Sequence, residues 1–205
     1  MAHLSPLARE EIEDTELQHM LERYLEIRRF IPNSVLTMSR RPAIAKAFAA
    51  LNQAILYEGT VPEETKMLVS LISSQASGCR YCQSHMANLS SIYSASDEKI
   101  AALWDFRTST LFSDAERAAL NIALKAGQLP NDTNANDFAE LKRYWDDGQI
   151  VEIIAAIGLF GYLNRWNDTM ATELEDYPSK VAERTLSDWG WEAGKHGCNG
   201  YVPPV

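Results

Sequence analysis

Cysteine is scarce in this chain: three in 205 residues, too few for a disulfide framework. No apolar run reaches the roughly 18 residues that a membrane span needs; the longest, Ile153 to Leu163, reads as a buried helix. No glycine-rich phosphate loop is present, so no organic cofactor is expected. Strand-like alternation, low-complexity sequence and an interdomain linker are also missing. Positive charge is in the minority, 19 Lys and Arg against 28 Asp and Glu, for a net charge of -9. Such a surface repels phosphate backbones and argues against a nucleic-acid partner. Glu10, Glu11, Glu13 and Asp14 stand where a signal peptide would be apolar, so a cytoplasmic protein with no membrane partner is expected.

What remains is an ordinary globular composition, 46% hydrophobic and 23% charged, in a chain long enough for one domain with a proper core. Helical periodicity runs almost throughout. Pro6 is read as opening a helix over 7–30, with Leu17, Met20, Leu21, Tyr24 and Leu25 on one face. Pro42 suits a first-turn position, ahead of the stripe Ile44, Phe48, Leu51, Ile55. Thr60-Val61-Pro62-Glu63 reads as a capping box, starting a helix through Met67, Leu68, Leu71 and Ile72 toward Gly78. The next helix begins near Cys79 and runs to about Tyr93. Ser96 and Ser113 mark two further starts, the second helix stopping at Gly127. Leu129 to Asn136 is polar loop, followed by helices near Phe138–Trp145, over Gln149–Ala171, and within Pro178–Trp191. Tyr201 to Val205 reads as extended. The expectation is one all-α domain over 1–205, with a hint of a duplicated unit at 60–93 and 113–171.

The chemistry is concentrated in Ser77-Gly78-Cys79-Arg80-Tyr81-Cys82-Gln83-Ser84-His85. Glycine after an apolar helix is a stop signal, so both cysteines fall in the first turn of the next helix. Free N–H groups and the helix dipole there favour an anion, and a C-x-x-C thiol in that setting can fall to a pKa of about 3.5–7.5. His85, one turn beyond Cys82, can take the thiol proton. A thiolate with a resolving neighbour suits reduction of a hydroperoxide, through a sulfenic acid and then a disulfide, with an external dithiol as reductant. Two thiolates and an imidazole lack a fourth ligand, so no metal site is expected. Cys198, in a Gly-rich tail, carries no catalytic weight.

The segment Ala76 to His85 resembles the C-x-x-C region of the carboxymuconolactone decarboxylase and alkylhydroperoxidase D-like superfamily. Phe160-Gly161-Tyr162-Leu163-Asn164-Arg165-Trp166-Asn167-Asp168 is similar to a segment of its peroxidase-related members, and Gly190 to His196 adds a little. The resemblance covers a core over 40–172, between the N-terminal helix and a C-terminal tail over 173–205. It implies an alkylhydroperoxidase D-like all-α fold, a homo-oligomer, and a cysteine pair in a pocket near a subunit contact. It also implies that Cys82 attacks the peroxide and Cys79 resolves. The resembled peroxidases place histidine four residues after the second cysteine; here that position is Met86 and the histidine is His85. They carry a relay glutamate twelve residues before the first cysteine; here it is Met67. Glu64, one turn earlier, is one substitute; Gln75 and Ser74, holding a water, are another. The decarboxylase branch generally lacks the cysteine pair, which argues against lactone decarboxylation.

Two alternatives stand beside the peroxidase. One is a non-catalytic helical oligomer whose cysteines sense redox state or merely pack. The other is a small-lactone decarboxylase or isomerase with His85 as acid or base. Asn164, Arg165, Asn167 and Asp168 read as a polar network tying helices or subunits together. His3 and His19 read as solvated. His196 reads as a surface residue unless the tail packs over a neighbour's pocket.

Overall fold

The computed structural model describes residues 2–197, so Cys198 and the segment Tyr201 to Val205 lie outside the described residues. Ten α-helices account for the regular structure among them, with four short 3-10 turns and no strand. In chain order the helices are α1 (Thr15–Arg28), α2 (Asn33–Met38), α3 (Pro42–Leu56), α4 (Glu63–Ser77), α5 (Arg80–Ile92), α6 (Asp97–Ala101), α7 (Asp114–Ala126), α8 (Ala135–Leu141), α9 (Asp147–Met170) and α10 (Asp176–Leu186). None is long and apolar enough to cross a membrane.

Side-chain caps set five of the ten helix starts among the described residues. Ser96 caps α6, and Ser113 and Glu116 cap α7 reciprocally. The Asp146 carboxylate accepts from the Gln149 N–H at the start of α9. Asn134 and Asp137 form a further reciprocal cap, which starts α8 at Ala135, inside the stretch expected to be loop. The N-terminal helix expected over 7–30 is shorter. Only a 3-10 turn, Arg9–Glu11, precedes Asp14, whose carboxylate accepts from the Leu17 N–H and sets the start of α1 at Thr15. Arg29, with φ at 66°, ends it. Pro42 occupies the first turn of α3 as expected.

The core is built around α4, which packs against α5, α7 and α9. From Thr65 to Ser74 every residue of α4 is buried, and from Tyr81 to Ser90 every residue of α5. Met67, Leu68, Val69, Leu71 and Ile72 are at most 1% exposed, each contributing about 1.5–3 kcal/mol by burial. Serine is tolerated at this depth because it bonds backward along its own helix. The Ser70 hydroxyl donates to the Lys66 carbonyl at 2.7 Å and that of Ser74 to the Ser70 carbonyl at 2.8 Å. Serine is also small. A Cβ on Gly127 would stand 2.7 Å from the Ser73 carbonyl oxygen, so the end of α7 can lie on α4 only as glycine. The units expected at 60–93 and 113–171 correspond to α4–α5 and to α7 with α9, the second carrying α8 in between.

Thr60-Val61-Pro62-Glu63 does not form the expected capping box. Pro62 is the N-cap and makes no side-chain bond. Glu152 of α9 takes Thr60 instead, accepting from its N–H at 2.9 Å and from the Val61 N–H at 3.0 Å. It also pairs at 2.8 Å with Lys66, a lysine only 1% exposed whose ammonium donates to the Glu58 carbonyl as well. Burial pushes the Glu152 carboxyl up, but Lys66 and the two N–H groups outweigh it and hold it at about 2. A carboxylate depressed this way stabilises the fold above its unfolded pKa and loses that contribution as pH falls through the folded value. Glu152→Gln should therefore cost on the order of 2 kcal/mol at neutral pH, once solvent screening at the rim is allowed for. In urea unfolding the gap from wild type should close between pH 4.5 and about 2.

Candidate active site

Gly78 ends α4 with φ at 77°. Its N–H donates to the Gln75 carbonyl at 3.0 Å and the Cys79 N–H to that of Ser74 at 3.2 Å, the bonding pattern of a Schellman motif. A Cβ there would meet nothing within 4 Å, so glycine is required by the backbone angle alone. The turn makes Cys79 the N-cap of α5 and puts Cys82 in its first turn, as the sequence predicts.

Both cysteines are free thiols, 0% and 1% exposed, and hydrogen-bonded to each other. Asn167 of α9 donates from Nδ2 to the Cys82 sulfur at 3.4 Å. The low thiol pKa expected from the helix start does not hold for Cys82. Burial, then the hydrogen bond and charge of Cys79, push it well above its ordinary value, and Asn167 only partly opposes them. In this closed state Cys82 is a neutral thiol at physiological pH.

His85 follows one turn later, 5% exposed. Its ring stacks on Tyr81 at 4.3 Å between centroids and meets Phe30 edge-on at 5.8 Å. Its Nε2 lies 2.6 Å from Oε2 of Glu175. Sequence reasoning missed Glu175, which is the N-cap of α10 but makes no capping bond. Its other oxygen accepts from the Tyr81 hydroxyl at 3.0 Å and from the Asn33 N–H. Burial pushes this carboxyl up, yet His85 and the Asn33 N–H outweigh it, so the group stays below the ordinary carboxyl value and ionised. An ionised carboxylate only accepts, so Nε2 of His85 carries a proton and Nδ1 is left to exchange one.

Cys82 and His85 share a small cavity of about 40 Å³, walled also by Tyr24, Arg28, Asn52 and Asn167. None of Glu64, Gln75 and Ser74 lines it. Glu64 is bound to Lys99 at 2.7 Å, about 20 Å along α4 from Gly78. The Ser74 hydroxyl bonds within its helix, and its carbonyl holds the Cys79 N–H. Oε1 of Gln75 is buried without a partner. Met67 is fully buried in the core. Cys79, Cys82 and His85 do not converge on one point: among the described residues no three His, Cys, Asp or Glu are placed to hold a metal ion.

The tail packs against Tyr81 and the end of α9 rather than lying on the surface. His196, expected at the surface, is 1% exposed. Its Nδ1 donates to the Thr172 carbonyl at 2.7 Å, its ring faces Tyr81, and its carbonyl accepts from the Leu174 N–H. His3 and His19 are exposed, as expected. Of the four polar residues near the end of α9, Asn164 and Asn167 are buried and Arg165 and Asp168 exposed. Asp168 pairs with Lys195 of the tail at 2.8 Å.

An all-helical core with a C-x-x-C pair at a helix start defines the class, and comparison with known proteins agrees. The chain belongs to the carboxymuconolactone decarboxylase family, whose model matches residues 42–125. The debrominase Bmp8 is 33% identical, with a TM-score of 0.83 over 89% of this chain and 97% of that one. A cysteine-to-alanine variant of Bmp8, in complex with 2,3,4-tribromopyrrole, superposes with the same TM-score. A peroxidase-related protein from Ralstonia eutropha JMP134 is 22% identical with a TM-score of 0.72, covering 85% of this chain and 94% of its own, a likeness of fold. YnjA, an uncharacterised protein of Escherichia coli K12, is 31% identical over 105 residues, 51% of this chain and 58% of its own length.

Proposed function

We propose that this protein is a dithiol-dependent peroxidase that reduces a small organic hydroperoxide through Cys82 and Cys79. The observation that carries the reading is the Cys82 thiol in the wall of a cavity that also holds His85, itself fixed by an ionised Glu175. On substrate entry the Cys82 proton passes to His85 and the thiolate attacks the terminal peroxide oxygen. The O–O bond breaks, the alkoxide takes the proton and leaves as alcohol, and Cys82 becomes a sulfenic acid. Cys79 attacks that sulfur, its proton leaves with the hydroxide as water, and a disulfide remains. An external dithiol restores the pair by exchange. Glu175 takes the relay role for which the sequence offered Glu64, Gln75 or Ser74. The cavity admits the peroxide group alone, so the body of the substrate lies outside it. A single domain, assembly into a homo-oligomer and a cytoplasmic setting complete the proposal.

A second reading has one specific support, the likeness to a debrominase over nearly its whole length. The same two thiols can replace a carbon–bromine bond by carbon–hydrogen, yielding bromide, a proton and the disulfide.

The test offers the reduced protein cumene hydroperoxide and, separately, 2,3,4-tribromopyrrole, and counts thiols against product. One alcohol per two thiols lost supports the peroxidase. Bromide release with the peroxide untouched transfers the chemistry to the second reading. Thiols inert to both leave the redox-silent oligomer, and a decarboxylase would act on a lactone even with both cysteines replaced.

A further inference from the structure

Arg28 is the one charged side chain in the wall of the Cys82 cavity that the proposed chemistry leaves unused. It sits in the last turn of α1, 8% exposed. Among the described residues no carboxylate pairs with it. Its hydrogen bond is to the Tyr57 hydroxyl at 3.4 Å, and its guanidinium lies 5.6 Å from the centre of the Tyr24 ring. The carbonyl end of α1 offsets a little of the charge. A guanidinium has five N–H donors and cannot shed its proton, and a buried cation without an anion is costly. In a chain with nine excess negative charges, a carboxylate partner for it would be easy to supply.

The surroundings say where the missing anion belongs. Arg28, Tyr24 and Asn52 line the Cys82 cavity and also a second, larger groove of about 330 Å³ between α1 and α3. That volume is in the range of about 300–1,000 Å³ typical of small-molecule sites. The groove is walled largely by apolar and aromatic side chains, Met20, Ile27 and Tyr57 among them. Its charged members are Arg23 and Arg28, with His19 titratable, and no Asp or Glu lines it. Of the acids on α1, Glu22 pairs with His19 of the groove and with Arg9, and Glu26 is exposed outside the groove. Glu175 and Asp176 line a separate cavity with Arg28, but Glu175 is engaged by His85, Tyr81 and Asn33 and makes no ion pair with the guanidinium.

We propose that Arg28 binds the carboxylate of an organic-acid substrate whose apolar body fills the α1–α3 groove and whose reducible group enters the Cys82 cavity. Arg28 thereby sets specificity: a guanidinium grips a carboxylate through two parallel hydrogen bonds, and this one stands at the junction of the two spaces. The inference rests on Cys82 being the reacting thiol. It adds the chemical class of substrate, an amphiphilic anion of about the bulk of a substituted benzoate.

The first arm of the test needs no electron transfer. Calorimetry compares 4-isopropylbenzoate with its neutral analogue 4-isopropylbenzamide on the reduced wild-type protein, and iodoacetamide labelling of Cys82 reads protection by each. The acid should bind at least tenfold tighter than the amide and should slow labelling. In Arg28→Met the preference should fall to within about twofold, and Arg28→Lys should retain an intermediate preference. The second arm compares kcat/KM for cumene hydroperoxide and its para-carboxylated form, where the same ratio should appear in wild type and collapse in Arg28→Met.

Equal binding of acid and amide by wild type overturns the proposal, even if Arg28→Met fails to fold. So does a preference that survives in a folded Arg28→Met protein. Acid-selective binding through Arg28 in a protein that reduces neither hydroperoxide keeps this inference and removes the peroxidase. Turnover of both hydroperoxides at one rate does the reverse.

Discussion

Cys82→Ser should abolish dithiol-dependent turnover, lowering kcat/KM by at least about a thousandfold. A serine hydroxyl stays protonated and cannot accept the oxygen that a sulfur takes as sulfenic acid, so no residual pathway through this position remains. The fold should survive, because oxygen replaces sulfur at nearly constant shape and Asn167 Nδ2, which already donates to the Cys82 sulfur at 3.4 Å, can donate to the hydroxyl. The expected cost is about 1 kcal/mol, readable as a small change in thermal midpoint. Cys79→Ser should behave differently. It leaves the attacking thiol in place and removes the resolving one, so one equivalent of peroxide should be consumed in a burst, after which a dimedone adduct should be found on Cys82. If the two variants exchange phenotypes, the order of attack is reversed and Cys79, the N-cap residue, is the nucleophile. If Cys82→Ser consumes peroxide at the wild-type rate, the pair is not catalytic.

The same site shows which parts of it a linear reading can reach. Cys79, Cys82 and His85 are legible because their spacing is local: one glycine stop and one helical turn set their relation. The physical state of the thiol is not local. A helix start lowers a thiol pKa when the sulfur also meets water or a cation, and here α1, α2, α3 and α9 wall in Cys82 until burial outweighs the dipole. Nothing between residues 79 and 85 records that closure.

The lost relay glutamate has a related explanation. Met67, in its place, lies in the core between α4 and its neighbours, and the anion arrives from the opposite end of the chain, ninety residues beyond His85. A faint signal exists at Glu175-Asp176-Tyr177-Pro178. Glu is a poor N-cap beside Ser, Thr, Asp or Asn, and an acid at that position ahead of a proline-containing first turn is engaged elsewhere or solvated. The tail was harder still, because Trp191, buried with its indole N–H on the Arg80 carbonyl at 3.2 Å, and His196 pack by long-range contacts, not by periodicity. The helical framework itself came through, since caps such as Ser113–Glu116 and stops such as Gly78 and Gly127 act within four residues. One error fell where a distant side chain captured a capping residue, as Glu152 does Thr60; the other boundaries that moved were set by local caps at Asp14 and Asn134.

Glu175→Gln should lower kcat by about a hundredfold with a much smaller change in KM, since Glu175 positions His85 and does not line the Cys82 cavity. The amide is nearly isosteric. Its oxygen can still accept from the Tyr81 hydroxyl and the Asn33 N–H, the two bonds made by Oε1. What disappears is the negative charge 2.6 Å from His85 Nε2, and with it the fixed tautomer that leaves Nδ1 to exchange the proton with Cys82. A purely structural role for Glu175 would change stability without changing thiolate formation. The decisive readout is therefore the ultraviolet absorbance of the Cys82 thiolate, or its alkylation rate, during a pH titration; both should fall in step with kcat. Stability should change too. Removing the charged acceptor of a buried hydrogen bond costs about 1.5–3 kcal/mol. The sign of its pH dependence follows from the lowered carboxyl: the stabilisation is present above the unfolded value near 4.5 and is lost as pH falls through the folded value. The unfolding free energies of wild type and variant should thus differ at neutral pH and converge below about pH 4.5. Glu175→Asp keeps the charge but is shorter by one methylene, about 1.5 Å, and should restore stability less than it restores the pH profile. A Glu175→Gln protein that turns over at the wild-type rate would remove Glu175 from the relay and return the question to a bound water.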